Sequence, residues 1–329
     1  MTPPGARRGL PSMDALLRSE PGRRAQATFG RPLLKRCLAE VLAGARAAAA
    51  GGQPVPDADD LLARAVAAAA RAAGGPVPVI NATGVILHTG LGRAPLPASA
   101  FAAIERAARG YSDLEIDLAT GGRGRRSSRA ETLLVALTGA EAALVVNNGA
   151  AALLLALAAL AKGKQVLVSR GELVEIGGGF RIPDILAASG AKLVEVGTTN
   201  RTRVADFREG WTERTAMVLK VHPSNYRVVG FAESPTAAQL ASLARTRGVP
   251  FVHDLGSGLL EEGAVADEPA AVAALADGAD LALFSGDKLL GGAQAGIAVG
   301  RADLVERMRR HPIARAVRID KLQVVALEA

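Results

Sequence analysis

The sequence predicts an α/β fold: a mostly parallel sheet with helices on both faces, preceded by a small helical domain. Three observations predict it. Six short apolar runs recur at helix-sized intervals from residue 143 onward. The stretch before residue 76 shows helical periodicity and no such runs, and polar or glycine-rich turns follow several runs at the end where parallel sheets build their sites.

In the first stretch, Leu34, Cys37, Leu38, Val41, Leu42 and Ala45 recur at three- and four-residue steps. Gly51, Gly52, Pro54 and Pro56 interrupt the pattern, and Leu61, Leu62, Ala65 and Ala69 resume it until Gly74-Gly75-Pro76. Asp57, Asp59 and Asp60 fall at the start of the last of these helices, where negative charge suits the helix dipole. This gives a helical domain over residues 1–75 and an α/β domain over 76–310. Residues 311–329 are read as the beginning of a further segment, cut short at Ala329 within a helical pattern.

The strand candidates are the runs at 143–146, 165–168, 192–196, 217–221, 250–253 and 281–284. Each is too short and too continuously apolar for an amphipathic surface helix, and the intervals between them hold helical stretches.

Composition narrows the function classes. Of 329 residues 49% are hydrophobic, enough for one large core and a smaller satellite. The longest apolar run, Ala150 to Ala161, is too short to span a bilayer, and residues 1–8 have no apolar signal-peptide core behind them, so a cytoplasmic protein without membrane contact is expected. The single cysteine, Cys37, allows no internal disulfide, and His88, His222, His253 and His311 are scattered without metal-ligand spacing, so no metal site is expected. Net charge is +7; residues 1–75 hold eleven Arg or Lys against six Asp or Glu, a basic head suited to a polyanion. With two Tyr and one Trp, any nucleic-acid contact must be led by phosphate and shape rather than base stacking.

The turns after the strands carry the candidate chemistry. Lys288 follows the sixth run within Phe284-Ser-Gly-Asp-Lys-Leu-Leu-Gly-Gly. An amine against a desolvated, glycine-lined wall loses part of its preference for the charged form and can attack an aldehyde such as that of pyridoxal phosphate (PLP). Asp254 leaves the fifth run into Leu-Gly-Ser-Gly, placed to pair with a pyridinium nitrogen. Asn147-Asn-Gly-Ala-Ala151 follows the first run and opens a helix, where free N–H groups suit a phosphate. His222-Pro-Ser-Asn-Tyr226 follows the fourth with polar groups for a ring. Gly256-Ser-Gly258 lacks the third glycine of a dinucleotide loop, and no P-loop sequence occurs.

With these blocks in place, the chain resembles the bacterial selenocysteine synthases, the L-seryl-tRNA(Sec) selenium transferases, PLP enzymes of the aspartate-aminotransferase-like fold (fold type I). The resemblance runs through Leu10-Pro-Ser-Met-Asp14, Ile80-Asn-Ala-Thr-Gly-Val-Ile-Leu-His88, Leu91-Gly-Arg-Ala-Pro95, Tyr111-Ser-Asp-Leu-Glu115, Gly121-Gly-Arg-Gly-Arg125, Ser169 to Gly177, Phe180-Arg-Ile-Pro-Asp184, Lys220-Val-His222, Ser224-Asn-Tyr-Arg227 and the Lys288 segment.

That resemblance implies that Lys288 holds PLP as an internal aldimine, that Asp254 pairs with the ring nitrogen, and that Gly149, Ala150 and Ser285 hold the phosphate. It sets His222 and Asn225 near the ring. Seryl-tRNA(Sec) would be converted through a dehydroalanyl intermediate to selenocysteinyl-tRNA(Sec), with selenophosphate as donor. Arg93, Arg315 and Arg318 match family arginines that grip the donor; Arg315 and Arg318, three apart, would share a helix face. Asp287 matches a family acid that assists the chemistry at the β-carbon.

The family further implies tRNA docking by the basic head, a homo-oligomeric ring of dimers, and a C-terminal domain beyond Ala329; the 121–126 loop is read as an interface loop reaching a neighbouring subunit, with a flexible turn as the alternative. Gly90 stands where the family usually carries Asn, and Gly179 where Ser is common, each removing a polar side chain near the site. A PLP lyase of a small phosphorylated or amino-acid substrate is the competing reading, and an RNA-binding relic with an idle site is a third.

Overall fold

The computed structural model describes residues 9–261, 263, 265 and 268–329; residues 1–8, where the sequence was read for a leader, lie outside them. Contacts divide the chain into two units, Met1–Ile80 and Asn81–Ala329.

The first unit holds α1 (Met13–Arg18), α2 (Glu20–Phe29), α3 (Arg31–Ala50) and α4 (Ala58–Gly74). Ser12, Ser19 and Asp57 begin three of these helices by accepting hydrogen bonds from Ala15, Gly22 and Asp60 N–H groups, satisfying donors that a helix cannot satisfy itself. Leu34, Leu38 and Leu42 of α3 meet Leu61, Leu62 and Ala65 of α4 in a closed core. The charged residues pair at i,i+4 on solvated faces, as Arg18 does with Asp14 and Arg64 with Asp60, and contribute little to stability.

In the second unit the strands are β1 (Ala142–Val146), β2 (Gln165–Ser169), β3 (Glu175–Ile176), β4 (Phe180–Arg181), β5 (Lys192–Val196), β6 (Thr215–Val221), β7 (Phe251–Gly256), β8 (Leu281–Ser285) and β9 (Gly296–Gly300). Seven form one sheet in the order β1-β9-β8-β7-β6-β2-β5, and β3 and β4 form a separate small hairpin. All six runs read from the sequence are strands of the large sheet. β9 is the addition: it inserts between β1 and β8, antiparallel to both, while its neighbours run parallel to the rest. Its sequence, Gly-Ile-Ala-Val-Gly, is short and bounded by glycines. Gly296 is required there, because a Cβ would lie 1.9 Å from the Asn148 carbonyl oxygen.

The helices are α5 (Ala98–Ala108), α6 (Ser128–Thr138), α7 (Gly149–Ala161), α8 (Ile182–Ser189), α9 (Val204–Glu209), α10 (Ala237–Arg247), α11 (Ala271–Ala276), α12 (Ala302–Arg310), α13 (Pro312–Ala316) and α14 (Lys321–Glu328). Alternate strand residues serve the two faces of the sheet. Val145, Leu167, Ala282 and Phe284 join the core under α6, α10, α11 and α14, whereas Leu144, Val166, Val168 and Leu283 join the core under α7, α8 and α12. Helix α7 is apolar on every side and buried nearly throughout, with Leu153, Leu155 and Leu157 fully enclosed; Leu→Ala at any of them should cost about 2–5 kcal/mol. It is a core helix, and no described helix is long and apolar enough to cross a membrane. Residues 311–329 pack into this same unit, Ile319 and Val324 lying in its core.

Candidate active site

Strands β7 and β8 are parallel neighbours, with Asp254 opposite Leu283 in their register. Their carboxyl ends therefore deliver Asp254 and the Lys288 turn to the same edge of the sheet. The Asp254 carboxyl is enclosed, and burial pushes its pKa up to about 6, against the opposing pull of a 3.1 Å hydrogen bond from Gly256 N–H and the charge of Lys288. Burial likewise disfavours the ammonium form of Lys288 and lowers its pKa. Asp254, Asp287 and Glu268 draw it back up, while Arg93 pushes it further down. A buried carboxyl and a partly desolvated amine thus sense each other with no direct ion pair between them among the described contacts.

At the end of β1 the chain turns through Asn147 and Asn148 into α7. Asn148 caps the helix by accepting from Ala151 N–H at 2.9 Å. The N–H groups of Gly149 and Ala150, in the first turn, have no helical carbonyl to reach and remain directed out of the helix end. Ser285 lies against them: a Cβ on Gly149 would stand 2.5 Å from Ser285 Oγ. The glycine read from the sequence as a phosphate contact is thus also the one residue that fits beside this serine.

A cavity of about 970 Å³ opens at these strand ends, with Lys288, His222, Asn225, Ser257 and Glu268 among its lining residues. His222 Nε2 stands 3.5 Å from Glu268, and burial lowers the imidazole pKa more than that carboxylate raises it. Asn225 Nδ2 donates to the Glu175 carbonyl at 3.1 Å, tying the β6 turn to the β3–β4 hairpin. Tyr226 Oη donates to the Gly171 carbonyl, and burial pushes its phenol pKa up.

Arg93 and Asp287 line a smaller cavity of about 280 Å³. Arg93 is the non-glycine residue held at positive φ (68°) among the described residues, and the turn that strains it also joins Ala94 N–H to the Asp287 carbonyl at 3.1 Å. Asp287 is 4% exposed and meets Arg93 Nη1 at 3.2 Å. The arginine spacing is corrected here: α13 ends at Ala316, so Arg315 and Arg318 share no helical face. Arg318 instead lies in extended backbone bridged to Val146 of β1, with Nη1 3.1 Å from Glu115, while Arg315 is exposed on α13. Val317 accepts from Asn147 N–H at 2.9 Å, so the Arg318 segment is joined to the turn before α7.

Glu115 was not singled out in the sequence. It gathers Arg126 at 2.7 Å, Arg123 and Arg318, and its hydrogen bond with Arg126 leads in holding its pKa below the usual range. Through it the 121–126 loop folds back on residues 115–117, with Gly124 N–H donating to the Glu115 carbonyl at 3.0 Å. Also unforeseen is the buried pair of Glu172 with Lys220 Nζ at 2.8 Å, in which the second carboxylate oxygen accepts from Val221 N–H. Neither carboxylate carries a periodic or spacing signal: Glu115 lies in a turn, and Glu172 follows β2 by three residues.

These donors fit PLP: an enclosed carboxyl for a cationic ring nitrogen, a partly neutral amine for an aldehyde, and unused helix N–H groups beside a serine hydroxyl for a phosphate. The cradle at Gly149 is one a Cβ would fill. Among the described residues no group of three or more His, Cys, Asp or Glu could hold a metal ion.

Comparison with known proteins agrees. The family described as L-seryl-tRNA selenium transferase matches residues 79–329, and a second, selenocysteine synthase N terminal, matches residues 7–46. The L-seryl-tRNA(Sec) selenium transferase of Moorella thermoacetica is 56% identical over 255 residues, 77% of this chain and 54% of that relative; the chain thus spans about half its length. That of Methylocella silvestris is 49% identical over 330 residues, covering 99% of this chain and 70% of the relative. Among solved structures, D-glucosaminate-6-phosphate ammonia-lyase superposes with a TM-score of 0.60 at 22% identity, over 73% of this chain and 63% of the other. An aspartate aminotransferase of Thermus thermophilus does so with 0.51 at 21%, over 71% and 61%. These likenesses show the fold, that of the aspartate aminotransferases, as the sequence led us to expect. The chain belongs to the L-seryl-tRNA selenium transferase family.

Proposed function

We propose that the protein is a PLP-dependent transferase that converts seryl-tRNA(Sec) to selenocysteinyl-tRNA(Sec), with selenophosphate as donor. The observation that carries this reading is the meeting of an enclosed Asp254 carboxyl and a pKa-lowered Lys288 amine at adjacent strand ends, in a chain of this family. When bound, the cofactor supplies an electron sink for negative charge at the substrate carbon that loses its proton.

The chain's own residues supply the rest. The Lys288 amine, partly neutral through burial, would hold the cofactor at its aldehyde and, when free, would take the proton from that carbon. Asp254 keeps the ring nitrogen cationic, with its carboxylate favoured once that cation is present. Gly149 and Ala150 N–H groups and Ser285 Oγ orient the cofactor phosphate, and His222 and Asn225 border the ring. Arg93, Arg315 and Arg318 receive the oxyanion of the selenium donor. Asp287, beside Lys288 in sequence and paired with Arg93, assists departure of the serine hydroxyl.

In this reading the basic head docks the tRNA, the 121–126 loop serves an interface between copies in a homo-oligomeric ring of dimers, and the protein works in the cytoplasm. Its support is the charge excess of residues 1–75 and the arginines gathered at Glu115. The test is conversion of seryl-tRNA(Sec) to a selenium-bearing product in the presence of PLP and selenophosphate. Product that vanishes with Lys288→Ala is expected. Retention of seryl-tRNA unchanged, together with release of ammonia from a small amino acid, would replace the transferase with a lyase.

A further inference from the structure

Glu268 follows β7 by a dozen residues and was not read as functional, yet two side chains of the site converge on it. Ser257 Oγ donates to Glu268 Oε2 at 2.7 Å. His222 Nε2 stands 3.5 Å from the same oxygen. Ser257 in turn accepts at its carbonyl from Leu289 N–H at 3.1 Å, so the residue after Lys288 is pinned to the serine that pins the carboxylate. A continuous path of contacts therefore runs from the imidazole through Glu268 and Ser257 to the turn carrying the amine. His222 and Glu268 also form part of the wall shared by the 970 Å³ cavity and a neighbouring one of about 560 Å³. A side chain in such a wall has space on two sides and needs a fixed partner to keep one orientation.

We propose that Glu268 is a positioning residue: fixed by Ser257, it keeps the His222 imidazole turned with Nε2 toward the carboxylate and Nδ1 free for the site. This deepens the proposed function, on which its catalytic meaning rests. A neutral imidazole facing a carboxylate carries its proton on the facing nitrogen, so Nε2–H is selected and Nδ1 is left as an acceptor.

The charges around His222 are few enough to read the effect of one change. Lys220, two residues back on β6, faces it with its charge matched by Glu172 at 2.8 Å. His253 on β7 senses it but is held neutral by burial, its pKa lowered to about 3. Lys288, Arg227, Tyr226 and His88 border the same cavity. Glu268 is the carboxylate among them that favours the imidazolium; burial works the other way. Removing its charge should therefore make His222 harder to protonate.

The test is the titration of His222 by histidine-selective NMR on the full chain without added PLP, its signal assigned by its loss in His222→Asn. In Glu268→Gln the midpoint is expected to fall by roughly half a unit or more, and in Ser257→Ala to fall by less, because the carboxylate is then present but unanchored. Glu268→Asp should retain part of the effect. A His222 midpoint that stays put or rises in Glu268→Gln overturns the proposal. Should that variant not fold, Ser257→Ala decides alone, and an unmoved midpoint there overturns it as well. A purely structural role would change stability without moving the midpoint. Because no cofactor is needed for this reading, its failure is distinguishable from failure of the protein to bind PLP.

Discussion

Arg93 and Asp287, 194 residues apart in sequence, meet with Nη1 3.2 Å from both carboxylate oxygens. The aspartate is enclosed and its Oδ2 has no hydrogen bond, so the guanidinium nitrogen, with the Lys288 charge nearby, offsets a buried negative charge. The arginine, 39% exposed at its side chain, still faces the smaller cavity.

Arg93→Ala should therefore destabilise the chain by about 1–3 kcal/mol, below the full cost of a broken buried pair because the arginine side is partly solvated. Urea unfolding checks this, and Arg93→Ala combined with Asp287→Asn should recover part of the loss. Equal stability of the single and double variants would show that Asp287 does not depend on Arg93.

Gly149→Ala is predicted to leave the sheet formed but to close the cradle beside Ser285, since the new Cβ would press on Oγ at 2.5 Å. PLP affinity measured by equilibrium dialysis should fall at least about tenfold, the order expected from losing one or two charge-assisted hydrogen bonds to phosphate. Adding Ser285→Ala should relieve the crowding without restoring affinity.

Two buried groups make opposite contributions to stability as pH changes. Asp254 has a folded pKa raised to about 6, so the folded state binds its proton more readily than the unfolded state does; this group favours folding below about 4 and loses that contribution as pH rises to about 6. His253 has a folded pKa lowered to about 3, so its contribution is complete above about 6.5 and is lost as pH falls toward 3. Between pH 4 and 6 the two slopes nearly cancel in the chain without cofactor. Asp254→Asn should expose the His253 slope, close to 1.4 kcal/mol per pH unit at its steepest, in urea midpoints taken across that interval. A flat profile in Asp254→Asn would contradict the burial ascribed to His253.

The parts legible in the sequence were those set by local pattern. Five of the parallel strands announced themselves as apolar runs because both their faces are covered, β5 at the edge being the exposed one, and Asp254 and Lys288 could be found because they leave such runs. β9 escaped because three consecutive apolar residues between glycines carry too little signal, and its place between β1 and β8 is decided by tertiary pairing. Arg315 and Arg318 were given one helix face on spacing alone, but the helix ends at Ala316 and Arg318 is drawn instead to Glu115 and the edge of β1. Glu172 meets Lys220 48 residues on, and Glu268 joins Ser257, 11 residues back, to His222 in an earlier turn, pairings that no window of sequence can show.

In the proposed function the amine of Lys288 and the carboxyl of Asp254 serve one bound pyridine aldehyde. Addition of PLP to the purified chain, followed by visible absorption, tests it most directly. A band is predicted that disappears in Lys288→Ala and shifts or weakens with lowered PLP affinity in Asp254→Asn. A band of equal strength in Lys288→Ala, or none in the unaltered chain at saturating PLP, would contradict it.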